Sequence, residues 1–246
     1  MRTASPPGAQ NRVNRFELKY LVPCRQVPEL VAAVAPYTTP DAHDLEGRGY
    51  PVFSVYWDSP GFLFFWEKVE GLKYRRKLRL RRYAGMPDVM VEVKQRIDRT
   101  LQKRRLRLPL CDALHRFAPD GLNGGPDSSE QDPLLSEVAL LCYRHQLRPR
   151  MAVRYQRRAL YGVFEPDLRI TIDTRVQYSA SELDVAQPFE TGRYIVDPRV
   201  AILELKFTNR VPLWLVRTVE RFGLSVTRLS KYCSAVDRAH FGRQYT

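Results

Sequence analysis

The sequence predicts an α+β protein built on an antiparallel closed β-barrel, a tunnel of about eight strands with flanking helices. Three observations point there. The first is alternation: in KYRRKLRLRR at 73–82, Lys73, Arg75, Lys77, Arg79 and Arg81 take every second position, with Tyr74, Leu78 and Leu80 between them. Successive side chains of a strand point to opposite faces, so these five cations share one face. The second is that many such segments are separated by short turn signals, as Tyr83-Ala84-Gly85-Met86-Pro87-Asp88 separates 73–82 from VMVEVKQR at 89–96. The third is a net charge of +13 over 246 residues, which calls for an anionic partner.

Taken in order, residues 1–13 read as a disordered lead-in to a single domain spanning 14–246. Residues 14–22 form a strand with Arg15, Glu17 and Lys19 on one face and Phe16, Leu18 and Tyr20 on the other, ended by Pro23. Val27, Leu30, Val31 and Val34 have helical spacing, which predicts a helix over 25–36. A strand follows at 51–59. The segment 60–71 starts near Pro60, ends on Gly71 and reads as a short helix with packing aromatics. After the 73–96 hairpin, 99–108 is another basic strand. Residues 118–133, rich in Gly, Pro and acid, are a surface loop. A helix is expected at 134–147, then strands at 150–163, 168–176, 193–196 and 200–207. Helices at 211–222, closed by Gly223, and at 231–242, capped by Ser230, complete the chain.

Nearly every strand pairs a polar, mostly basic face with an aliphatic one. Closed into a barrel, they make a charged lumen inside an apolar exterior that the helices at 25–36, 134–147 and 211–222 cover. Charges lining a low-dielectric cavity focus their field, so a polyanion is held there better than on an open surface. Glu17, Glu92, Asp173 and Glu204 alternate in register with the cations on four strands. Each is a natural counter-ion for an arginine; together they suit a divalent metal, Mn²⁺ or Mg²⁺, beside phosphate. Cys24, Cys111, Cys142 and Cys233 lie far apart without a CxxC pair and read as free thiols in a reducing compartment. With no secretory signal and no apolar run of membrane-spanning length, the expectation is a soluble, cytoplasmic chain.

The motifs RFELKYLV, KLRLRRY, VEVKQR, YQRRAL, LRITIDT, ILELKF and SKY, in this order, resemble the VTC-type polyphosphate polymerase domain of the triphosphate tunnel metalloenzymes. The resemblance covers residues 14–240 apart from the 118–133 loop. It implies tunnel cations at Lys19, Arg79, Arg81, Lys94, Arg157, Arg169 and Lys231. It also implies substrate contacts from Tyr155, Arg228 and Ser230, and metal ligation by Glu204; strand register adds Arg15, Lys77 and Lys206 as expected substrate contacts, and Glu17 and Glu92 as expected metal ligands. Simple alternation puts Arg154 and Arg157 on opposite faces, and the resemblance selects Arg157, which shares a face with Tyr155. The related triphosphatase branch opens its first strand with ExExK; here Arg15 stands at the first acid, which favours the polymerase branch.

The implied activity is transfer of the γ-phosphoryl group of ATP to a polyphosphate chain. Its rivals are a tunnel triphosphatase and a non-catalytic module for polyphosphate or inositol phosphates. Nucleic acid is not expected, because the cations sit in strand register with acids and no recognition helix is evident. Product export would need a separate membrane protein partner.

Overall fold

The computed structural model describes residues 15–44, 46–98, 100–118 and 132–242. The expected lead-in and most of the 118–133 loop lie outside these residues. Ten strands form one antiparallel sheet: β1 (Arg15–Pro23), β2 (Thr38–Pro40), β3 (Tyr50–Asp58), β4 (Tyr74–Tyr83), β5 (Asp88–Ile97), β6 (Thr100–Pro109), β7 (Arg148–Gly162), β8 (Arg169–Ser179), β9 (Arg193–Tyr194) and β10 (Val200–Thr208). Eight of them run in the order β1-β10-β8-β7-β3-β4-β5-β6; β2 and β9 add short pairings to β7 and β8. The helices are α1 (Val27–Val34), α2 (Leu63–Val69), α3 (Leu110–Arg116), α4 (Pro133–His145), α5 (Leu213–Arg221) and α6 (Lys231–Val236).

The sheet curls, but the expected closure is not made by backbone pairing: β1 and β6 end the sheet and do not pair with each other among the described residues. The free edge of β1 is taken by the stretch before α6 instead. The Thr227 amide donates to the Lys19 carbonyl at 2.8 Å, and Tyr20 bridges to Val226. The result is an open, curled barrel. Side chains cross the seam, since Lys94 Nζ on β5 lies 3.4 Å from Glu17 Oε2 on β1.

Alternation decides the faces. Outward residues of β3, β4 and β5, such as Phe53, Val55, Leu78, Leu80, Val91 and Val93, pack with Leu135, Val138 and Cys142 of α4. Outward residues of β1, β8 and β10, such as Tyr20, Ile170, Ile172, Leu203 and Leu205, pack with Leu30 and Val34 of α1 and Leu215 of α5. These three covering helices are those expected from the sequence.

The inner face is not charged throughout, as had been expected. Val52, Tyr56, Met151, Val153, Tyr155, Val176 and Ile202 join Phe62, Phe65, Tyr232 and Val236 in an apolar cluster, so α2 and α6 pack within the curl. Asp58 anchors this arrangement. Its buried carboxylate accepts the Phe64 and Phe65 amides at 2.9 and 3.0 Å and also the Tyr232 hydroxyl. Of the expected final helix 231–242, the first part is α helix and Asp237–Phe241 is a π turn. The expected strand at 193–196 is reduced to Arg193–Tyr194.

Candidate active site

The charged part of the lumen follows from register. Lys19 lies opposite Glu204 and Glu17 opposite Lys206 across β1 and β10. Lys206 is in turn opposite Arg169 on β8, and Asp173 is opposite Arg157 on β7. On the other wall Arg79 pairs with Glu92, and Lys77 with Lys94, across β4 and β5. Glu17, Glu204 and Asp173 therefore run diagonally over three neighbouring strands, while Glu92 stands apart from them.

One cluster centres on Glu204 and Asp173. Arg157 holds Asp173 with two bonds of 2.7 Å, Nε to Oδ1 and Nη2 to Oδ2. Lys231, at the start of α6, reaches Asp173 Oδ2 at 2.6 Å and Glu204 Oε1 at 2.8 Å. Lys206 takes Glu204 Oε2 at 2.8 Å. Burial alone would raise both carboxyls; the surrounding lysines and Arg157 overcome it, and each titrates below its ordinary range. The ring of Tyr155 lies beneath this group, 5.1 Å from the Arg157 guanidinium and 5.0 Å from Lys231 Nζ.

The second cluster centres on Glu92. Arg79 reaches it through Nε at 2.6 Å, Lys103 at 2.5 Å, and Arg81 stands 3.9 Å away. Arg79 also donates to the Tyr56 hydroxyl at 3.0 Å, and Arg81 to Ser54 Oγ at 3.0 Å. Burial would push the Tyr56 phenol up, yet Arg79, Arg81 and Lys77 bring it down to about 8.

A third group is mostly lysine. Glu17 pairs with Lys19 at 2.5 Å and with Lys94 across the seam, while Lys77 donates to Ser230 Oγ at 2.8 Å. Lys94 is brought down to about 8 by burial; Glu17 opposes the shift, and Lys77, Lys19 and Lys206 add to it. Across the three groups and Arg169 at their border, Lys19, Lys77, Arg79, Arg81, Lys94, Lys103, Arg157, Arg169, Lys206 and Lys231 meet five carboxylates, those of Glu17, Glu92, Asp173, Glu204 and Asp41. The imbalance leaves a field directed at an anion.

Most of the residues expected from the sequence are brought together here. Arg169 is at the border, 3.4 Å from Asp41, and its buried Nε has no partner. Ser230 lies within the lysine group and also caps α6, accepting from the Cys233 amide at 3.3 Å. Arg228 is exposed and makes no ion pair with the described residues. Arg15 is the first residue of β1, opposite Thr208, and its side chain lies outside the described residues. Sequence reasoning missed Lys103, Ser54 and Tyr56. Lys103 sits in a strand where cations occupy both faces, and Ser54 and Tyr56 sit in a strand that reads as continuously apolar.

The three expected metal ligands do not form one cluster, and no group of three His, Cys, Asp or Glu suited to a metal occurs among the described residues. The donors present are carboxylate oxygens, the type that Mg²⁺ and Mn²⁺ take, and Mg²⁺ is commonly held by one or two carboxylates together with substrate phosphates. Glu204 with Glu17 fits that pattern; Glu92, held by Arg79 and Lys103, fits the role of counter-ion.

Comparison with known proteins gives a family and a fold. Residues 14–240 match the model of the VTC domain family. The chain is 22% identical over 270 aligned residues to the vacuolar transporter chaperone complex subunit 4 of Trypanosoma brucei brucei. That alignment covers 91% of this chain and 34% of the relative, so the chain spans about a third of the relative's length. Among solved structures, a candidate adenylyl cyclase from Hippeastrum, described as having a dominant triphosphatase activity, superposes with a TM-score of 0.51 at 12% identity. It covers 91% of this chain and 94% of that one. A candidate adenylate cyclase from Bacillus halodurans also has a TM-score of 0.51, at 14% identity, covering 93% and 99%. At these identities the likeness is one of fold.

Proposed function

Since the chain belongs to the VTC domain family, we propose that it is a polyphosphate polymerase, transferring the γ-phosphoryl group of ATP to the end of a polyphosphate chain and releasing ADP. The observation that carries this reading is the excess of cations over carboxylates in one curled lumen, with cations on both walls. A linear polyanion between the walls would meet charge-assisted donors along its length.

In phosphoryl transfer of this kind the protein supplies positioning and charge stabilisation. Arg79, Arg81 and Arg157 lie around Tyr155 and would bind the equatorial oxygens of the transferred group. Lys19, Lys77, Lys94 and Lys206 would hold the acceptor chain so that its terminal oxygen attacks in line as the bond to ADP breaks. Ser230 accepts both of its described hydrogen bonds, which leaves its hydroxyl hydrogen for a phosphate oxygen. Glu204, with Glu17, would hold a Mn²⁺ or Mg²⁺ ion, which when bound neutralises charge on phosphate oxygens. The remaining carboxylates keep the arginines in place when no substrate is present.

No helix among the described residues is long and apolar enough to cross a membrane. The reading places the chain where ATP is supplied, in the cytoplasm, and assigns export of product to a separate membrane protein. A relative that is a subunit of a larger complex supports such a partnership. The deciding experiment is incubation with ATP and Mn²⁺ followed by gel analysis: a ladder of long phosphate chains supports polymerisation, and monomeric phosphate as the sole product supports hydrolysis.

A further inference from the structure

We propose that the outer face of the sheet carries a second anion site, a pocket for a nucleoside diphosphate, separated from the lumen by the sheet itself. The two clusters that cover the sheet's exterior leave a polar gap over β7. Register places the gap's residues side by side: Pro51 lies opposite Gln156, Phe53 opposite Arg154, and Arg154 opposite Gln177. These positions have the opposite parity to the luminal Tyr155 and Arg157, so they face outward. A cavity of about 630 Å³ opens here, lined among others by Arg48, Arg154, Arg175, Gln156, Gln177 and Tyr194. That size is ordinary for a small-molecule pocket and far too small for a polymer.

The lining is built for a compact phosphate ester. Arg154 is fixed through Nη1, which donates to the Phe189 and Glu190 carbonyls at 2.6 and 3.0 Å, leaving Nε and Nη2 without partners. Arg175 is exposed, pairs with no described carboxylate and has φ +51°. A non-glycine residue in the left-handed region is costly, and such strain gathers at functional sites. It arises where the pairing of β7 with β8 slips between Arg154 and Gln156, an irregularity of the kind that re-aims side chains.

Arg48 is already paired with Glu46, and Glu190 also lines the cavity. The free cations are therefore two guanidiniums, which suit a diphosphate better than a longer polyanion. Gln156 and Gln177 donate their amides to the Arg48 and Gly192 carbonyls at 3.4 and 3.3 Å, so their own carbonyl oxygens remain to accept from ribose hydroxyls. Tyr194, about one-third exposed, offers a ring to a base. Gly49, with φ +76° in its turn with Gly47, lets the segment bearing Arg48 lie against β7, where a Cβ would stand 2.8 Å from the Arg157 carbonyl.

Tyr155 of β7 borders this cavity, and its ring carries Arg157 and Lys231 on the luminal face. Occupancy is expected whether the lumen polymerises or hydrolyses, so this site and the proposed reaction stand or fall separately.

The test is calorimetric titration of the whole protein with ADP. Wild type should show two sites. Arg175→Gly combined with Tyr194→Ala should weaken one of them at least tenfold and leave binding of tripolyphosphate to the lumen unchanged; glycine suits the φ of position 175, so the fold is kept. Arg79→Ala should weaken only the other site. A single ADP site that Arg79→Ala removes, or two sites indifferent to the outer substitutions, would overturn the proposal. Tripolyphosphate competing for the outer site as well as ADP does would overturn its assignment to a nucleotide.

Discussion

At the level of single residues, the lumen separates groups that hold each other from groups that await a ligand. Both oxygens of Glu204 are engaged by lysines, Lys231 on one and Lys206 on the other. If the same carboxylate serves a metal, Glu204→Gln should lower turnover by about a hundredfold or more, because the amide keeps the shape and loses the charge. Tripolyphosphate binding should persist, since the two lysines remain; full turnover at saturating Mn²⁺ would remove Glu204 from the metal site. Arg79 makes charge-assisted bonds to Glu92 and Tyr56 and can exchange them for phosphate. Arg79→Ala should therefore weaken tripolyphosphate binding by about tenfold to a hundredfold, the range of one hydrogen bond to a charged group. Arg217→Ala on the exposed side of α5 should change it little, as measured by the same titration. Asp173 differs from both. Fully buried and chelated by Arg157, it is a structural counter-ion, and Asp173→Ala should cost about 3–5 kcal/mol in denaturant unfolding because it leaves the Arg157 and Lys231 charges buried and uncompensated.

Among the elements, the two walls meet across the open seam where Lys94 of β5 reaches Glu17 of β1, and that makes the lysine group responsive to pH. Burial brings Lys94 down to about 8, and the neighbouring arginines bring Tyr56 down to about 8. Below pH 8 Lys94 is charged and Tyr56 neutral, so affinity for a polyanion is at its fullest. As pH rises through 8, one cation is lost and one anion gained, and affinity falls. Lys94→Arg together with Tyr56→Phe should flatten the profile between pH 7 and 9; an unchanged profile would place the titration elsewhere. Strand alternation made most of this legible in advance: the parity of Lys77, Arg79 and Arg81 against Leu78 and Leu80 fixed which residues meet in the lumen. The interior packing of α2 and α6 was not legible, because an aromatic helix such as Leu63–Val69 has the same pattern whether it covers a barrel or enters it. Nor was the open seam, which depends on the stretch around Val226 taking the edge of β1 in space. Lys103 was hidden for a simpler reason. In QKRRLR at 102–107 both parities carry cations, and only the contact with Glu92 singles one out.

For the whole molecule, the fold places two apolar cores outside the sheet and, within the curl, a third apolar core beside a cation-rich lumen, a distribution that is self-repelling until an anion enters. Binding of tripolyphosphate should accordingly raise the thermal midpoint, by linkage with the folded state alone. The central claim is that the anion so bound is a growing chain and its donor is ATP. Arg15, in place of the first acid of ExExK, removes one candidate for orienting a hydrolytic water. The most direct measurement is the phosphorus product formed from ATP and Mn²⁺, resolved by gel and matched against ADP released. The account predicts chains much longer than triphosphate, lengthening in step with ADP. Monomeric phosphate as the only product, at every metal and ATP concentration tried, would contradict it.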